Sequence, residues 1–249
     1  LEEVENNMVV PAHAASPIGS GSDREGPLAP LLFVLTVITG LVDAVSYLSL
    51  GHVFVANMTG NVVFLGFAAA GARDFSVPAS LLAIAAFLAG ALTGGRLGLR
   101  AGHHRGRLVA FAVFGKIVLI GAALVVAVAV PDLSGAPVQY ALIVLLALAM
   151  GLQNAVARRL AVPDLTTTVL TLTLTGLAAD SSLAGGNNPR VGRRLLSTAA
   201  MFVGAAIGAL LVLRVGVGAA LALALGVILL NAVAAYRVSS SSAPWTVGS

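Results

Sequence analysis

Eight apolar runs, separated by short polar junctions, occupy nearly the whole chain and leave room for little besides helices in a membrane. They cover about residues 28–50, 53–72, 77–99, 108–130, 137–158, 165–184, 195–213 and 216–236. A spanning helix needs about 20 mainly apolar residues, and most of the runs meet that length. Composition agrees: 58% of the residues are hydrophobic, 10% are charged, and the mean hydropathy is +0.99. A soluble domain carries about 25% charged residues, and a core of this size could not hide so much apolar surface. The expected fold class is all-α, a polytopic transmembrane helix bundle of six to eight segments with an internal two-fold sequence repeat.

Two runs resist a simple reading. The second opens GHVFVANMTGN and the sixth DLTTTVLTLTLTG, so both are polar where they would enter the membrane. They fit full spans, broken helices or re-entrant segments, because non-helical backbone at depth is tolerated only where protein or water satisfies it. Orientation depends on this. Arg96, Arg100, Arg105 and Arg107 lie between runs three and four, and Arg190, Arg193 and Arg194 between runs six and seven. These basic loops fall on opposite faces if all eight runs span, and share a face if one intervening run does not. Residues 1–27 and 239–249 read as disordered tails, the first without the cationic and apolar regions of a signal peptide.

The two halves, 28–130 and 137–236, align as repeats. Gly40-Leu41-Val42-Asp43-Ala44-Val45 corresponds to Gly151-Leu152-Gln153-Asn154-Ala155-Val156, and Asn57-Met58-Thr59-Gly60-Asn61-Val62 to Asp164-Leu165-Thr166-Thr167-Thr168-Val169. Gly90 and Gly94 match Gly204 and Gly208. Repeats of this kind are common in secondary transporters, with the substrate site at their interface. An odd number of crossings per half would invert one copy relative to the other.

Most chemistry is excluded. Without cysteine there are no disulfides, thiolate metal sites or thiol nucleophiles. His13, His52, His103 and His104 are too scattered for a metal site, and hydrolase, phosphate-loop and zinc-protease signatures are absent. No enzyme, metal or cofactor is expected. The formal charge of +4 comes from arginines between apolar runs, where membrane topology places them, so nucleic acid is not an expected partner. The expected partners are the lipid bilayer, with Arg190, Arg193 and Arg194 placed to meet anionic headgroups, and a small polar solute.

Asp43 lies roughly 20 Å along run one at 1.5 Å per residue, and an intramembrane carboxylate costs at least about 2.5–3.5 kcal/mol on insertion scales. It reads either as a titratable or cation-binding group or as half of an ion pair with Lys116, the single lysine, also mid-run. Asn57, Thr59 and Asn61 offer donors and acceptors beside Gly60; alternatively, the two amides hydrogen-bond a neighbouring helix. Asn154, Thr166, Thr167 and Thr168 are their counterparts, with Asp164 suited to capping run six. Gly90, Gly94 and Gly98 in run three, and Gly204 and Gly208 in run seven, have the spacing that lets helix backbones approach.

With these residues assembled, the chain resembles the YoaK-type family of bacterial membrane proteins. The resemblance rests on TGLVDAVSYLSLGHVFVANMTGNVVFLG, on GLQNAVARRLAVPDLTTTVLTLTLTGLAAD and on NNPRVGRR, and extends over about residues 30–236. It implies about six spans in a bacterial inner membrane and carries no established substrate. Two functions are weighed: a secondary transporter with its site between the repeats, and a non-transporting assembly, lipid-binding or structural module whose polar residues only hold helices together.

Overall fold

A computed structural model describes residues 26–100, 104–130, 132–162, 170–187, 190–240, 243 and 246. Thr166, Thr167, Thr168, Asp164 and most of both tails lie outside these residues. The described chain is helical: α1 Leu28–Ser49, α2 Met58–Ala69, α3 Val77–Arg100, α4 Arg105–Ala129, α5 Ala136–Leu160, α6 Leu170–Ala179, α7 Val191–Arg214 and α8 Val217–Ser239. Six of them are long and apolar enough to cross a membrane; α2 and the described part of α6 are shorter. Run two is therefore not a full span, and for run six, whose first residues lie outside the described ones, the directions of the flanking helices decide.

Prolines mark the starts of several helices, where their missing N–H would have no partner. Pro27 precedes α1, and Pro78 and Pro137 are the second residues of α3 and α5. His104 caps α4 by accepting from the Arg107 amide at 3.2 Å. Between α4 and α5, Asp132 accepts from the Ser134 amide at 2.8 Å. The Ser134 hydroxyl and amide hold this exposed carboxyl below its ordinary range.

Helix directions follow from the contacts. Arg105, opening α4, donates to the carbonyl of Leu160 at the end of α5, so these helices are antiparallel. Asn231 near the end of α8 donates to Leu31 near the start of α1 at 3.4 Å. α1 and α7 run parallel, since Gly204 faces Val37 and Gly208 faces Leu41. α3 and α5 are also parallel, since Gly90 faces Leu148 and Gly94 faces Leu152. Leu28, Arg100, Arg105, Leu160, Val191 and Ser239 thus lie at one face, face I. The opposite helix ends form face II.

Both excursions then return to the face they left. The chain from Ser49 to Val77, containing α2, begins and ends at face II; the chain from Leu160 to Val191, containing α6, begins and ends at face I. Arg96, Arg100, Arg105, Arg107, Arg158, Arg159, Arg190, Arg193, Arg194 and Arg237 all fall toward face I, against Arg73 and Arg214 toward face II.

The closest packing is built on glycine. Gly40 abuts the Met201 carbonyl and Ala205, as Gly151 abuts the Phe87 carbonyl and Ala91. A methyl added at Gly94 would lie 2.8 Å from Ala155 Cβ and 2.9 Å from Leu152 O; at Gly208 it would lie 3.1 Å from Ala44 Cβ and 2.7 Å from Leu41 O. These glycine contacts in one half have counterparts at the aligned positions of the other. Gly98 instead lies under the Arg159 side chain. At the centre are α1 and α5, 67% and 61% buried, while the other spans are 22–33% buried and keep broad apolar faces toward lipid.

Candidate functional site

The first polar segment is a hairpin that re-enters the bundle. Gly51 (φ 87°) and His52 (φ 56°) turn the chain back at the end of α1; glycine takes this left-handed backbone readily, whereas histidine adopts it less often. Residues 50–57 then run down beside α1. Asp43 Oδ1 accepts from the amides of Val55 at 3.1 Å and Ala56 at 2.9 Å. Asp43 lies six residues before Ser49, so the tip reaches roughly 9 Å below the end of α1 at 1.5 Å per residue. From that depth α2 climbs back. Asn61 pairs with both backbone groups of Phe54, its Oδ1 accepting from the amide at 2.9 Å and its Nδ2 donating to the carbonyl at 2.6 Å.

Extended backbone inside a membrane needs every polar group satisfied. Asp43 and Asn61 do this for three consecutive amides, Phe54 to Ala56, and one carbonyl. Aromatic rings fasten the hairpin to its surroundings: Tyr47 stacks on Phe54 at 5.0 Å, Phe54 on Phe64 at 5.7 Å, and Phe64 on Phe75 at 4.8 Å. Asn57 and Thr59, at the tip, are exposed, and Asn57 makes no side-chain cap to α2.

Asp43 and Lys116 do not form the ion pair considered from sequence. Lys116, fully buried on α4, donates to Gln153 Oε1 on α5. Gln153 Nε2 donates to Thr39 Oγ1 on α1 at 2.9 Å, and the Thr39 hydroxyl donates to the Leu35 carbonyl at 2.8 Å. This chain joins the first half to the second at mid-depth. Thr39 belongs to a buried polar stripe on α1, Thr36, Thr39, Asp43 and Ser46, at the three- and four-residue spacing of one helix face. Sequence reasoning does not single out Gln153 or Thr39. The signal available was that spacing, together with a glutamine beside Asn154 within a long apolar run.

Asn154, the counterpart of Asp43, is partly buried and donates to the Met150 carbonyl at 3.0 Å. Thr166, Thr167 and Thr168, which would lie nearest it by the repeat, are outside the described residues. In this half Arg194 secures α6, donating to the Gly176 carbonyl at 2.5 Å and pairing with Asp180 at 2.8 Å. α2 packs on α3 and the end of α1, and α6 on α7, so the two short helices share no packing face among the described residues. Neither do those residues include a cluster of His, Asp or Glu able to hold a metal ion.

A six-span integral membrane protein with two short helices that return to their own face is what this geometry defines. The chain belongs to the family described as protein of unknown function DUF1275, whose model matches residues 31–235. It is 36% identical over 152 residues to the UPF0700 transmembrane protein YoaK of Bacillus subtilis (strain 168). That match covers 61% of this chain and 66% of YoaK, a little under two thirds of the relative's length. No solved structure matches the chain.

Proposed function

We propose that the protein is a secondary transporter of a small polar solute in the bacterial inner membrane, with face I cytoplasmic. The orientation follows the tendency of arginine-rich junctions to stay inside. Three crossings per half make the aligned halves inverted copies, an architecture in which one half rocks against the other around a site near their interface. The observation that carries the reading is the buried polar stripe on α1, which descends from the hairpin tip to the Thr39–Gln153–Lys116 chain between the halves. A protein needing only apolar packing has no use for a buried lysine side chain bonded to a neutral amide, because an ionisable group is expensive inside a membrane.

The roles differ from residue to residue. Asn61 is fully engaged by Phe54 and Asp43 Oδ1 by two amides, which favours a supporting role for both. Asn57, Thr59 and the uncapped first turn of α2 are left to meet water or solute at the tip, and Lys116 is the ionisable group available for coupling. A thermal-stability screen in detergent against pools of small metabolites and ions tests this. A ligand specific to the folded state adds about 2.7 kcal/mol at a hundredfold excess over Kd. We expect a pool to raise the melting temperature of the wild type, and Asn57→Ala to lose that shift with its unliganded stability unchanged. Loss of stability in Asn57→Ala without ligand would assign the tip to packing and favour the non-transporting module.

A further inference from the structure

A groove of about 850 Å³ lies between α3 and α5, and Arg96, Arg158 and Arg159 line it toward face I. We infer that it binds an anionic phospholipid, its headgroup on these three arginines and one acyl chain along Leu92 and Leu88, which lie one and two turns deeper than Arg96. The apolar wall faces outward from the bundle: these two leucines are 63% and 56% exposed, so lipid reaches them without opening the protein. Arg96 stands one turn before the end of α3, and Arg158 and Arg159 in the last turn of α5, the depth at which headgroups meet a helix end. Among the described residues none of the three makes an ion pair with a carboxylate. Basic pockets between helices at a cytoplasmic interface are suited to anionic headgroups.

Two further observations separate this groove from a chance cluster of arginines. A methyl added at Gly95 meets nothing within 4 Å, although Gly94 and Gly98 beside it are filled by α5, so Gly95 keeps the groove open rather than letting helices touch. The Arg159 stem lies across Gly98, where an added Cβ would fall 2.6 Å from Arg159 Cδ, which holds this arginine in place over α3. The matching positions in the other half carry Leu210, Tyr47 and Leu48 in place of Arg96, Arg158 and Arg159. The charge is therefore peculiar to one end of the molecule and not a consequence of the repeat.

Native mass spectrometry of the full chain in detergent, titrated with phosphatidylglycerol or phosphatidylcholine, tests the assignment. We expect at least about tenfold tighter binding of phosphatidylglycerol to the wild type, reduced to about twofold in Arg96→Gln/Arg158→Gln/Arg159→Gln. Gly95→Phe keeps all three arginines but fills the groove, and should weaken phosphatidylglycerol binding as well; Arg73→Gln, toward face II, should leave it unchanged. Equal binding of the two lipids, or a triple variant that retains the preference, overturns the proposal. So does glycerol 3-phosphate competing as well as the whole lipid, which would make this a soluble-phosphate site. A triple variant that melts lower with its lipid preference intact would assign the arginines to the helix ends instead.

Discussion

Asp43→Leu is expected to dislodge the first hairpin, while Asp43→Asn leaves it in place. The leucine removes the acceptor for the Val55 and Ala56 amides, both on buried residues. Leaving a buried donor unmade costs about 1–3 kcal/mol, so two together cost about 2–6 kcal/mol. Asparagine retains an oxygen where Asp43 Oδ1 stands, so both amides keep an acceptor and the expected cost is smaller than that of leucine. Melting curves in detergent, with limited proteolysis around Gly51 and His52, read the difference. If Asp43→Asn proved as damaging as Asp43→Leu, the carboxylate's charge would matter more than its acceptor oxygen, and the supporting role would fail.

A loss of similar size is expected from Gly204→Ala and Gly90→Ala. At Gly204 a methyl collides with the Val37 carbonyl, and at Gly90 with that of Leu148. Both obstacles are backbone within helices, so relief requires moving α7 off α1 or α5 off α3. Overpacking costs about 1–3 kcal/mol where side chains can shift, and more where only whole helices can. The gain in helix propensity, about 1 kcal/mol, does not offset that. Gly121→Ala and Gly226→Ala are the controls, since a methyl there meets nothing within 4 Å. They should be neutral or slightly stabilising. Near-equal loss at all four positions would mean that small residues in α3 and α7 are not what sets the helix spacing.

The contrast between these two sets of residues shows what the sequence could reveal. Gly90, Gly94, Gly204 and Gly208 were legible because helix packing is periodic, and a four-residue spacing of small side chains has few other uses. The alignment of Gly40 with Gly151 carries the same information, and the packing keeps its register. Asp43 was legible as an anomaly, though not in its role: its partners are amides of an extended segment, where no helical spacing relates residue 43 to residues 55 and 56. Lys116 was equally conspicuous, and pairing it with the one carboxylate at similar depth ignored which helices touch. α4 lies on α5, so the Lys116 side chain finds Gln153. The count of spans stayed open because runs two and six are apolar enough for the membrane, and only the turn at Gly51 and His52 makes the second a hairpin.

That α2 and α6 return to their own faces is the claim on which the topology and the transport reading both depend. The chain has no cysteine, so single substitutions at Asp74, His104, Asp132 and Ser182 each introduce one thiol. Labelling intact cells and then permeabilised cells with a membrane-impermeant maleimide assigns each position to a side. Six crossings predict that Asp74→Cys and Asp132→Cys react in intact cells, and that His104→Cys and Ser182→Cys react only after permeabilisation. Eight crossings would place Asp74, Asp132 and Ser182 together and His104 alone on the other side; that pattern would contradict the account.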